Sequence, residues 1–335
     1  MPSHRRVLHL LFLAAAAAVV AVAGEEVEDA FCGGDSTPDM ATLRPDRLTV
    51  VLSGYSEQRL PLLRAIAVAY AAHPLVLAVV VMWSNPTTPS TVLLSTFPPS
   101  PTITLHVTAT SSINSRFLPL PSIPTAAVAV ADDDVLPSAA ALSLAFATWQ
   151  HRSSSSGPLV GFFPRSHHLD LTRRRWAYTA ATQPEGRYSM VLTKLLVVGV
   201  DLLYRYTCSP ELAAARDVVD RERNCEDILM NFVAADVSGE GPVLVEADGG
   251  VRDWGDPRND GDGGDAGGEA VKGVGLSSTG GMAHWEKRGN CITEFHRLLG
   301  RMPLRYSYGK VVAAAAGGEP GMCSKGGRLV RCDQE

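Results

Sequence analysis

Residues 48–82 read LTVVLSGYSEQRLPLLRAIAVAYAAHPLVLAVVVM, two apolar runs on either side of a segment with helical spacing. The runs at 48–52 and 76–82 are short and rich in β-branched residues, as is typical of buried strands. Between them, residues 59–72 repeat leucine, isoleucine and alanine at the spacing of one helical face. A strand, a helix and a strand in this order form a βαβ unit. The segment therefore predicts an α/β fold with a mostly parallel sheet and helices on its faces.

The alternation continues beyond this unit. Strands are predicted at 103–107, 126–131 and 159–163, and helices at 138–150, 224–235 and 290–299. Residues 190–206 are predicted to form either a strand followed by a helix or a largely helical stretch. Together these elements predict a single domain over residues 46–309.

Other segments do not fit the alternation. Residues 24–45 have no periodicity and are interpreted as a stem or linker. Residues 249–274 are crowded with glycine and aspartate and contain few apolar residues, which predicts a flexible insertion within the domain. Residues 310–335 are interpreted as a tail.

The N-terminus has the pattern of a segment that directs a chain into the secretory pathway. A basic run at residues 4–6 precedes the uncharged, apolar residues 7–23, which end in the small-residue pattern AVA. This apolar run is also near the lower limit for a helix that spans a membrane. Residues 1–23 are therefore a signal peptide or a signal anchor, and both alternatives stay open. Either one predicts that the rest of the chain is lumenal or extracellular.

The bulk composition limits the partners and the kind of site. With 46% hydrophobic and 19% charged residues, the chain has the composition of a globular protein with a core. The formal net charge of -5 argues against a nucleic-acid partner, because binding to a phosphate backbone needs a positive field. The six cysteines are an even number, which suits disulfides in an oxidising compartment. None of them has C-x-x-C spacing, so a zinc site is not expected.

Asp132, Asp133 and Asp134 directly follow the strand predicted at 126–131. The carboxyl ends of parallel strands form the crevice where α/β folds bind ligands. Like charges at such a place repel one another unless a cation or hydrogen-bond donors compensate. Mg²⁺ and Mn²⁺ take oxygen ligands and are commonly shared with substrate phosphates, so the run predicts a divalent cation site for a phosphorylated substrate. A solvated acidic turn that caps the next helix is the alternative interpretation.

Several short motifs flank this run in a fixed order. They are NSRF at 114–117, VAVADDDVL at 128–136, GFFPRSH at 161–167, YSMVL at 188–192, NCEDILMNF at 224–232, and RGNC at 288–291 followed by MPLRYS at 302–307. In this order they resemble the motifs of the exostosin-like glycosyltransferases, glycosyltransferase family 64. The resemblance implies a GT-A fold and an Mn²⁺- or Mg²⁺-assisted, retaining transfer of a sugar from a UDP- or GDP-sugar.

The resemblance also implies how the donor is held. Asp134 is implied to ligate the metal directly, while Asp132 and Asp133 contact the metal shell and the nucleoside. The resemblance also implies that four further residues face the nucleotide: Arg59, Asn85, Asn114 and Arg116.

The implied catalytic groups lie further along the chain. Asp227, at the start of its helix, is implied to lie near the anomeric carbon, and Arg288 is implied to contact the diphosphate or the sugar. A guanidinium stabilises the negative charge on a departing diphosphate, and a carboxylate stabilises an oxocarbenium-like ring. Cys225 and Cys291 are implied to form a disulfide that ties the helix of Asp227 to the loop of Arg288. A carboxylate that answers the helix dipole is the alternative interpretation of Asp227.

The acceptor and the compartment follow from the same resemblance. The alanine- and glycine-rich style with low-complexity insertions favours a plant member. The implied activity is that of a hexosyl- or N-acetylhexosaminyltransferase acting on a glycosylated inositol sphingolipid or another glycan in the Golgi or endoplasmic reticulum lumen. Two other classes stay open: a degenerate, non-catalytic protein of the same fold that binds a glycan or a nucleotide sugar, and a secreted structural or interaction protein.

Overall fold

The computed structural model describes residues 21–22, 32, 40–152, 157–180, 186–247, 249–255, 281–313, 322–325 and 328–331. The predicted signal peptide or anchor lies outside these residues except for 21–22. Residues 256–274 of the predicted insertion also lie outside them. The centre of the described structure is a nine-stranded sheet.

The strands follow the predicted pattern in the first half of the chain and add several short pairs in the second. In chain order they are β1 (Ala21–Val22), β2 (Arg44–Gly54), β3 (Val76–Trp83), β4 (Ile103–Thr108), β5 (Thr125–Asp132), β6 (Val135–Pro137), β7 (Val160–Gly161), β8 (Pro164–Asp170), β9 (Arg175–Ala180), β10 (Arg187–Tyr188), β11 (Met190–Val191), β12 (Leu195–Gly199), β13 (Val243–Glu246), β14 (Val251–Asp253), β15 (Ser307–Tyr308), β16 (Val311–Val312), β17 (Met322–Lys325) and β18 (Arg328–Arg331).

The α-helices lie between these strands. In chain order they are α1 (Leu60–Ala71), α2 (Ser90–Thr96), α3 (Ala139–Arg152), α4 (Val200–Cys208), α5 (Ala213–Glu222), α6 (Glu226–Ser238) and α7 (Gly281–Leu299). One-turn 3-10 helices add short connections, of which Glu57–Arg59 before α1 and Ile113–Phe117 before β5 matter for the site. None of the helices in the described part of the chain has both the length and the apolar character that crossing a bilayer requires.

The order of the central sheet is β1–β4–β3–β2–β5–β12–β7–β13–β16. Its neighbouring strands are parallel except around β12, which runs antiparallel to β5 and to β7. A parallel sheet needs crossover connections, and α1 supplies the first of them, between β2 and β3. The predicted α/β fold, with a mostly parallel sheet and helices on its faces, is confirmed.

Both faces of the sheet are covered, and alternate residues of β2 show how. Val50 and Leu52 belong to the apolar cluster that includes α1 and α3, whereas Val51 belongs to the cluster that includes α4, α6 and α7. Successive side chains of a strand point to opposite faces, so a strand covered on both sides reads as an unbroken apolar run. This explains the LTVVL pattern from which the strand was predicted.

The predicted strand at 159–163 and the predicted helix at 290–299 differ from the observed elements. Within residues 159–163 the chain forms only the short β7, and it then enters a β8–β9 hairpin, which the sequence did not predict. The helix, α7, starts at Gly281, so Arg288 lies within a helix and not in a loop as the resemblance implied. The glycines hid this extension, because glycine is a poor helix former. Gly289 lies where α7 approaches β9 so closely that a Cβ atom would come within 2.9 Å of the Trp176 carbonyl oxygen.

Ordered structure also extends into segments interpreted as insertion and tail. Val251–Asp253 forms β14, which pairs antiparallel with β6, so the start of the 249–274 segment is ordered. Within the 310–335 segment, β16 pairs with β13 and β17 pairs with β18. Strand pairing explains both differences, because composition alone does not show which short valine-containing segments find a partner.

Candidate functional site

The aspartate run lies where β5 ends, at the carboxyl edge of the parallel strands. Asp132 is the last residue of β5 and lies in register with Ser53 of β2. Asp133 and Asp134 form the turn into β6. Both are buried, with 7% of each residue exposed. The apolar strand β5 is covered on both faces, so it ends where the consecutive carboxylates begin. At the edge of the sheet, their charge can meet hydrogen-bond donors or cations.

Arg59 pairs with both buried aspartates. It ends the 3-10 helix Glu57–Arg59 that leads from β2 into α1. Its Nη1 lies 2.8 Å from Oδ1 of Asp133, and its Nη2 donates a hydrogen bond to Oδ2 of Asp134. Burial raises the pKa of the Asp133 carboxyl to about 7, with Arg59 opposing the rise and the neighbouring aspartates adding to it. Burial, and then Asp132, also raise the pKa of Asp134, and Arg59 opposes that rise as well.

The second oxygen of Asp134 is left without a donor. Oδ1 is buried and has no hydrogen-bond partner among the described residues. The chain just beyond β14 passes close by: the Trp254 N–H donates to the Asp134 carbonyl oxygen at 2.9 Å, and a Cβ at Gly255 would lie 2.3 Å from Oδ2. A buried carboxylate oxygen without a partner is costly, so this atom indicates a ligand that supplies positive charge.

Arg116 joins the aspartate run to the start of α6. Its Nη2 donates to Oδ1 of Asp132, and its Nη1 lies 2.8 Å from Oε1 of Glu226, the first residue of α6. The same guanidinium donates to the hydroxyls of Ser53 at 3.1 Å and Thr193 at 2.9 Å. The end of β5, the end of β2 and the first turn of α6 are therefore held at fixed distances by one buried cation.

Asp227 and Arg288 form a further carboxylate–guanidinium pair of the site. Nη2 of Arg288, on α7, donates to Oδ2 of Asp227 in the first turn of α6, and Nη1 donates to Oδ1 of Asn224 at 2.9 Å. The guanidinium also lies over the ring of Tyr178, 4.4 Å from its centroid. The side chains of Arg288 and Asp227 are only 7% and 6% exposed. The pair is thus held by burial, hydrogen bonds and an aromatic face together.

Two disulfides brace the helices around the site. Cys225–Cys291 connects the residue before α6 to the middle of α7, three positions from Arg288. Cys225 itself has a left-handed backbone conformation, with φ of 77°, that begins α6 abruptly. Cys32–Cys208 ties the end of α4 to the N-terminal segment, a pairing that the sequence left open.

The two predicted asparagines are not drawn into the aspartate cluster. Asn85 follows β3, where its Nδ2 donates to the Tyr55 carbonyl oxygen at 3.3 Å and its Oδ1 accepts from the Thr87 hydroxyl at 2.7 Å. Asn114 donates to the Arg216 carbonyl oxygen at 3.1 Å and accepts from the Tyr206 hydroxyl. It lines a cavity of about 630 Å³ whose described lining residues do not include Asp132, Asp133 or Asp134.

Glu226 and Tyr178 contact the site, and sequence reasoning missed both. Glu226 stands directly beside Asp227 in the NCEDILMNF motif, so its position was a usable signal. Burial, and then the charge of Asp227, raise the pKa of the Glu226 carboxyl, while Arg116 and Arg288 oppose the rise. Tyr178 lies on β9, and without a predicted hairpin its sequence position gave no indication that it covers Arg288.

The arrangement suits a cation that is shared with a ligand. Among the residues that the structure describes, no three His, Cys, Asp or Glu side chains already surround a common point as a metal cage. Mg²⁺ and Mn²⁺ sites that share the ion with phosphates need only one or two protein carboxylates, because phosphate oxygens and water complete the shell. Asp134, with one unpartnered oxygen next to two further aspartates, fits that requirement.

Comparisons with known proteins agree with the resemblance carried by the motifs. Residues 48–315 match the family model described as "Glycosyl transferase family 64 domain". The chain is 44% identical over 313 residues to Glycosyltransferase family protein 64 C3 of Arabidopsis thaliana, with 91% of each chain covered. It is 31% identical to Glycosylinositol phosphorylceramide mannosyl transferase 1 of Arabidopsis thaliana (60% of this chain, 54% of the relative). It is also 29% identical to Exostosin-1c of Danio rerio (68% of this chain, 28% of the relative).

Proposed function

The chain belongs to glycosyl transferase family 64 and is a glycosyltransferase, and we propose that it moves a sugar from a UDP- or GDP-sugar onto a lumenal glycan or glycolipid with retention of configuration. The observation that carries the donor assignment is the buried Oδ1 of Asp134 at the carboxyl edge of the sheet, which has no hydrogen-bond partner in the described part of the chain. A solvated acidic turn would expose its carboxylates to water, whereas Asp133 and Asp134 are buried.

The donor diphosphate is proposed to bind between the aspartate run and Arg288. Mn²⁺ or Mg²⁺ would be held by Asp134, with Asp132 and Asp133 contacting its shell and the nucleoside. When bound, this ion supplies positive charge against the diphosphate. Arg59 and Arg116, which already pair with the run, would face the same diphosphate.

Asn85 and Asn114 are proposed as contacts on the nucleoside side. Asn85 follows β3 at the carboxyl edge of the sheet, where α/β folds bind nucleotides. Asn114 lies in the same 3-10 helix, Ile113–Phe117, as Arg116. Both amides are engaged with neighbouring groups, so their role would be to shape the nucleoside side of the site rather than to offer a free donor.

Asp227 and Arg288 are proposed to act at the reacting bond. That bond joins the anomeric carbon to a diphosphate oxygen, and the new bond forms to an acceptor hydroxyl oxygen, which loses its proton. Arg288 would stabilise the negative charge on the leaving diphosphate, and Asp227 would stabilise the positive charge on the sugar ring. Because the two side chains are paired, each holds the other in place until the substrate binds.

The acceptor and the compartment are proposed from two further observations. The relative named Glycosylinositol phosphorylceramide mannosyl transferase 1 supports mannose and a glycosylated inositol sphingolipid as the first donor sugar and acceptor to test. The disulfides Cys32–Cys208 and Cys225–Cys291 suit the oxidising lumen of the Golgi or endoplasmic reticulum. Residues 1–23 would direct the chain there as a signal peptide or a membrane anchor.

Release of nucleoside diphosphate from a panel of UDP- and GDP-sugars tests the proposal. The protein from a secretory host is assayed with Mn²⁺, with Mg²⁺ and with a chelator, with and without a glycosylated inositol sphingolipid. We expect cation-dependent release from donors of one nucleotide, reduced at least about 100-fold by Asp134→Ala, because the ion no longer has its direct ligand. Asp46→Ala, which removes an exposed carboxylate on β2, is the matched control.

Each result of this panel has a distinct meaning. Proton NMR of the first product anomer tests retention of configuration. Cation-dependent binding of a nucleotide without release from any donor would favour the non-catalytic alternative. A folded protein that neither binds nor turns over any donor would contradict the proposed function.

A further inference from the structure

Arg59 occupies the aspartates that the proposed function gives to the cation. Its two terminal nitrogens bind one oxygen of Asp133 and one of Asp134, so a single guanidinium spans both carboxylates. These are the two buried members of the run. Because the Arg59 guanidinium already neutralises these carboxylates, any other cation that binds them has to compete with it.

We propose that Arg59 makes the site select a cation and a diphosphate together, by competing with the free cation and then pairing with the phosphate. This inference rests on the proposed donor site. In the empty site the guanidinium stays on Asp133 and Asp134. When a divalent ion enters with its diphosphate, Arg59 exchanges the carboxylates for a phosphate oxygen, and the aspartates are released to the ion.

Charge and distance make guanidinium and ion competitors. A divalent ion bound to an Asp134 oxygen would lie within a few ångströms of the Arg59 nitrogens that contact the same carboxylate. Two cations this close repel each other strongly in a partly buried site. A free ion therefore enters only by displacing Arg59 without offering it a new partner. A diphosphate brings negative charge, which removes that penalty.

The position of Arg59 allows this exchange. Its side chain is 20% exposed, and it belongs to the short turn Glu57–Arg59 between Ser56 and α1. By contrast, Arg288 is 7% exposed and rests on an aromatic ring. Arg59 also occupies the N-cap position of α1, a helix of 12 residues that starts at the carboxyl edge of β2. A helix N-terminus favours negative charge, so a phosphate that draws Arg59 away from the aspartates would remain beside it.

Binding of Mn²⁺ alone and of Mn²⁺ with nucleotide tests the exchange. Free Mn²⁺ is followed by electron paramagnetic resonance, and UDP or GDP binding by calorimetry at saturating Mn²⁺, with the nucleotide that the wild-type protein binds. The variants are Arg59→Ala, Arg59→Lys and, as the matched control, Arg64→Ala, which removes an exposed arginine from the next turn of α1. Melting temperatures establish that each variant is folded.

We expect Arg59→Ala to change the two affinities in opposite directions. Mn²⁺ alone should bind about 10-fold more tightly, and the nucleoside diphosphate at saturating Mn²⁺ about 10-fold more weakly, within the usual range of coupling between two ligands. The nucleoside monophosphate, with less charge for Arg59 to meet, should lose less affinity than the diphosphate. Arg59→Lys should fall between wild type and Arg59→Ala, since a single ammonium cannot span both carboxylates.

The opposite results distinguish a failure of this inference from a failure of the proposed function on which it rests. If Arg59→Ala weakens the binding of Mn²⁺ alone or leaves it unchanged while the wild type binds nucleotide, Arg59 braces the aspartates rather than competing, and the inference is overturned. If the folded wild-type protein binds neither Mn²⁺ nor nucleotide, the proposed donor site itself fails, and the inference fails with it.

Discussion

Arg59 and Arg288 both pair with buried aspartates of the site, but they are held very differently. Arg59 lies on a short turn, keeps a fifth of its side chain exposed and binds two carboxylates. Arg288 lies within α7, is almost fully buried, contacts Asp227, Asn224 and the face of Tyr178, and is three residues from a disulfide. In terms of the proposed function, the region around Arg59 is the donor side, whose charges can exchange partners, and the region around Arg288 is the catalytic side, whose charges stay in place.

Arg116 explains how two such different regions act on one substrate. It binds Asp132 on the proposed donor side and Glu226 on the proposed catalytic side, and its own side chain is only 10% exposed. Removing one partner of a buried ion pair is strongly destabilising. The separation between the two regions is therefore fixed even if groups on the donor side move.

The largest effect is expected from Asp227→Asn, which should separate catalysis from binding. The substitution keeps the shape of the side chain but removes the charge that the proposed function places beside the anomeric carbon. Sugar transfer should fall at least about 1,000-fold, as for other groups that stabilise developing charge. Cation-dependent nucleotide affinity should change less than about threefold, since the aspartate run is intact. Equal losses of turnover and of nucleotide affinity would show that Asp227 belongs to the donor side, and would contradict the distinction between a donor side and a catalytic side.

The next largest effect is on folding stability. Arg288→Met leaves Asp227 buried without its cation, which should lower the free energy of unfolding by about 3–5 kcal/mol. Denaturant unfolding of the disulfide-intact protein measures it. Arg301→Met is the matched control, because Arg301 pairs with Asp236 in an exposed position and should change stability little. A comparable loss in both variants would contradict the special burial of the Arg288 pair.

A smaller, pH-dependent effect is expected from His167, on the hairpin that packs against α7. The His167 ring stacks on the Tyr306 ring, and its centroid lies 5.2 Å from the centroid of the Trp176 ring. The backbone N–H of Trp176 in turn donates a hydrogen bond to the Thr293 hydroxyl on α7. Burial, and then His168 and Arg187, lower the pKa of His167 from 6.5 to about 4. The unfolded chain therefore takes up a proton near pH 6.5 that the folded protein accepts only near pH 4.

The sign of the His167 effect follows from this difference. The stability contributed by neutral His167 is present above about pH 7 and is lost as the pH falls towards 4, up to about 3 kcal/mol. Between pH 7 and pH 4.5 both proteins should lose free energy of unfolding. We expect this loss to be about 2 kcal/mol smaller in His167→Gln than in the wild type. His151→Gln, at the exposed end of α3, is the control. An unchanged pH dependence in His167→Gln would show that this side of the molecule owes its acid sensitivity to other groups.

The sequence predicted the donor side better than the catalytic side, for a physical reason. Residues 48–134 build their part of the site from consecutive strands and helices, whose periodicity is local and readable. The edge position of Asp132 followed directly from the strand before it. Arg59 was placed near the nucleotide, yet its pairing with Asp133 and Asp134 depends on a turn that carries no periodic signal.

The catalytic side depends on contacts between distant segments. Asp227 and Arg288 were named through motifs, but no spacing within the chain shows that α6 and α7 lie together. Gly289 concealed the length of α7, and the β8–β9 hairpin that brings Tyr178 over Arg288 went unpredicted. Tertiary packing decided these elements where local propensity pointed elsewhere.

Calorimetric titration of UDP and GDP into Asp134→Asn and Asp227→Asn, each with and without Mn²⁺, tests the central claim most directly. We expect that the wild type binds one of the nucleotides only with Mn²⁺, that Asp134→Asn loses this binding by at least about 100-fold, and that Asp227→Asn retains it. Retention of cation-dependent binding by folded Asp134→Asn would contradict the proposed function, because the carboxylate of Asp134 in the turn after β5 would then not hold the cation.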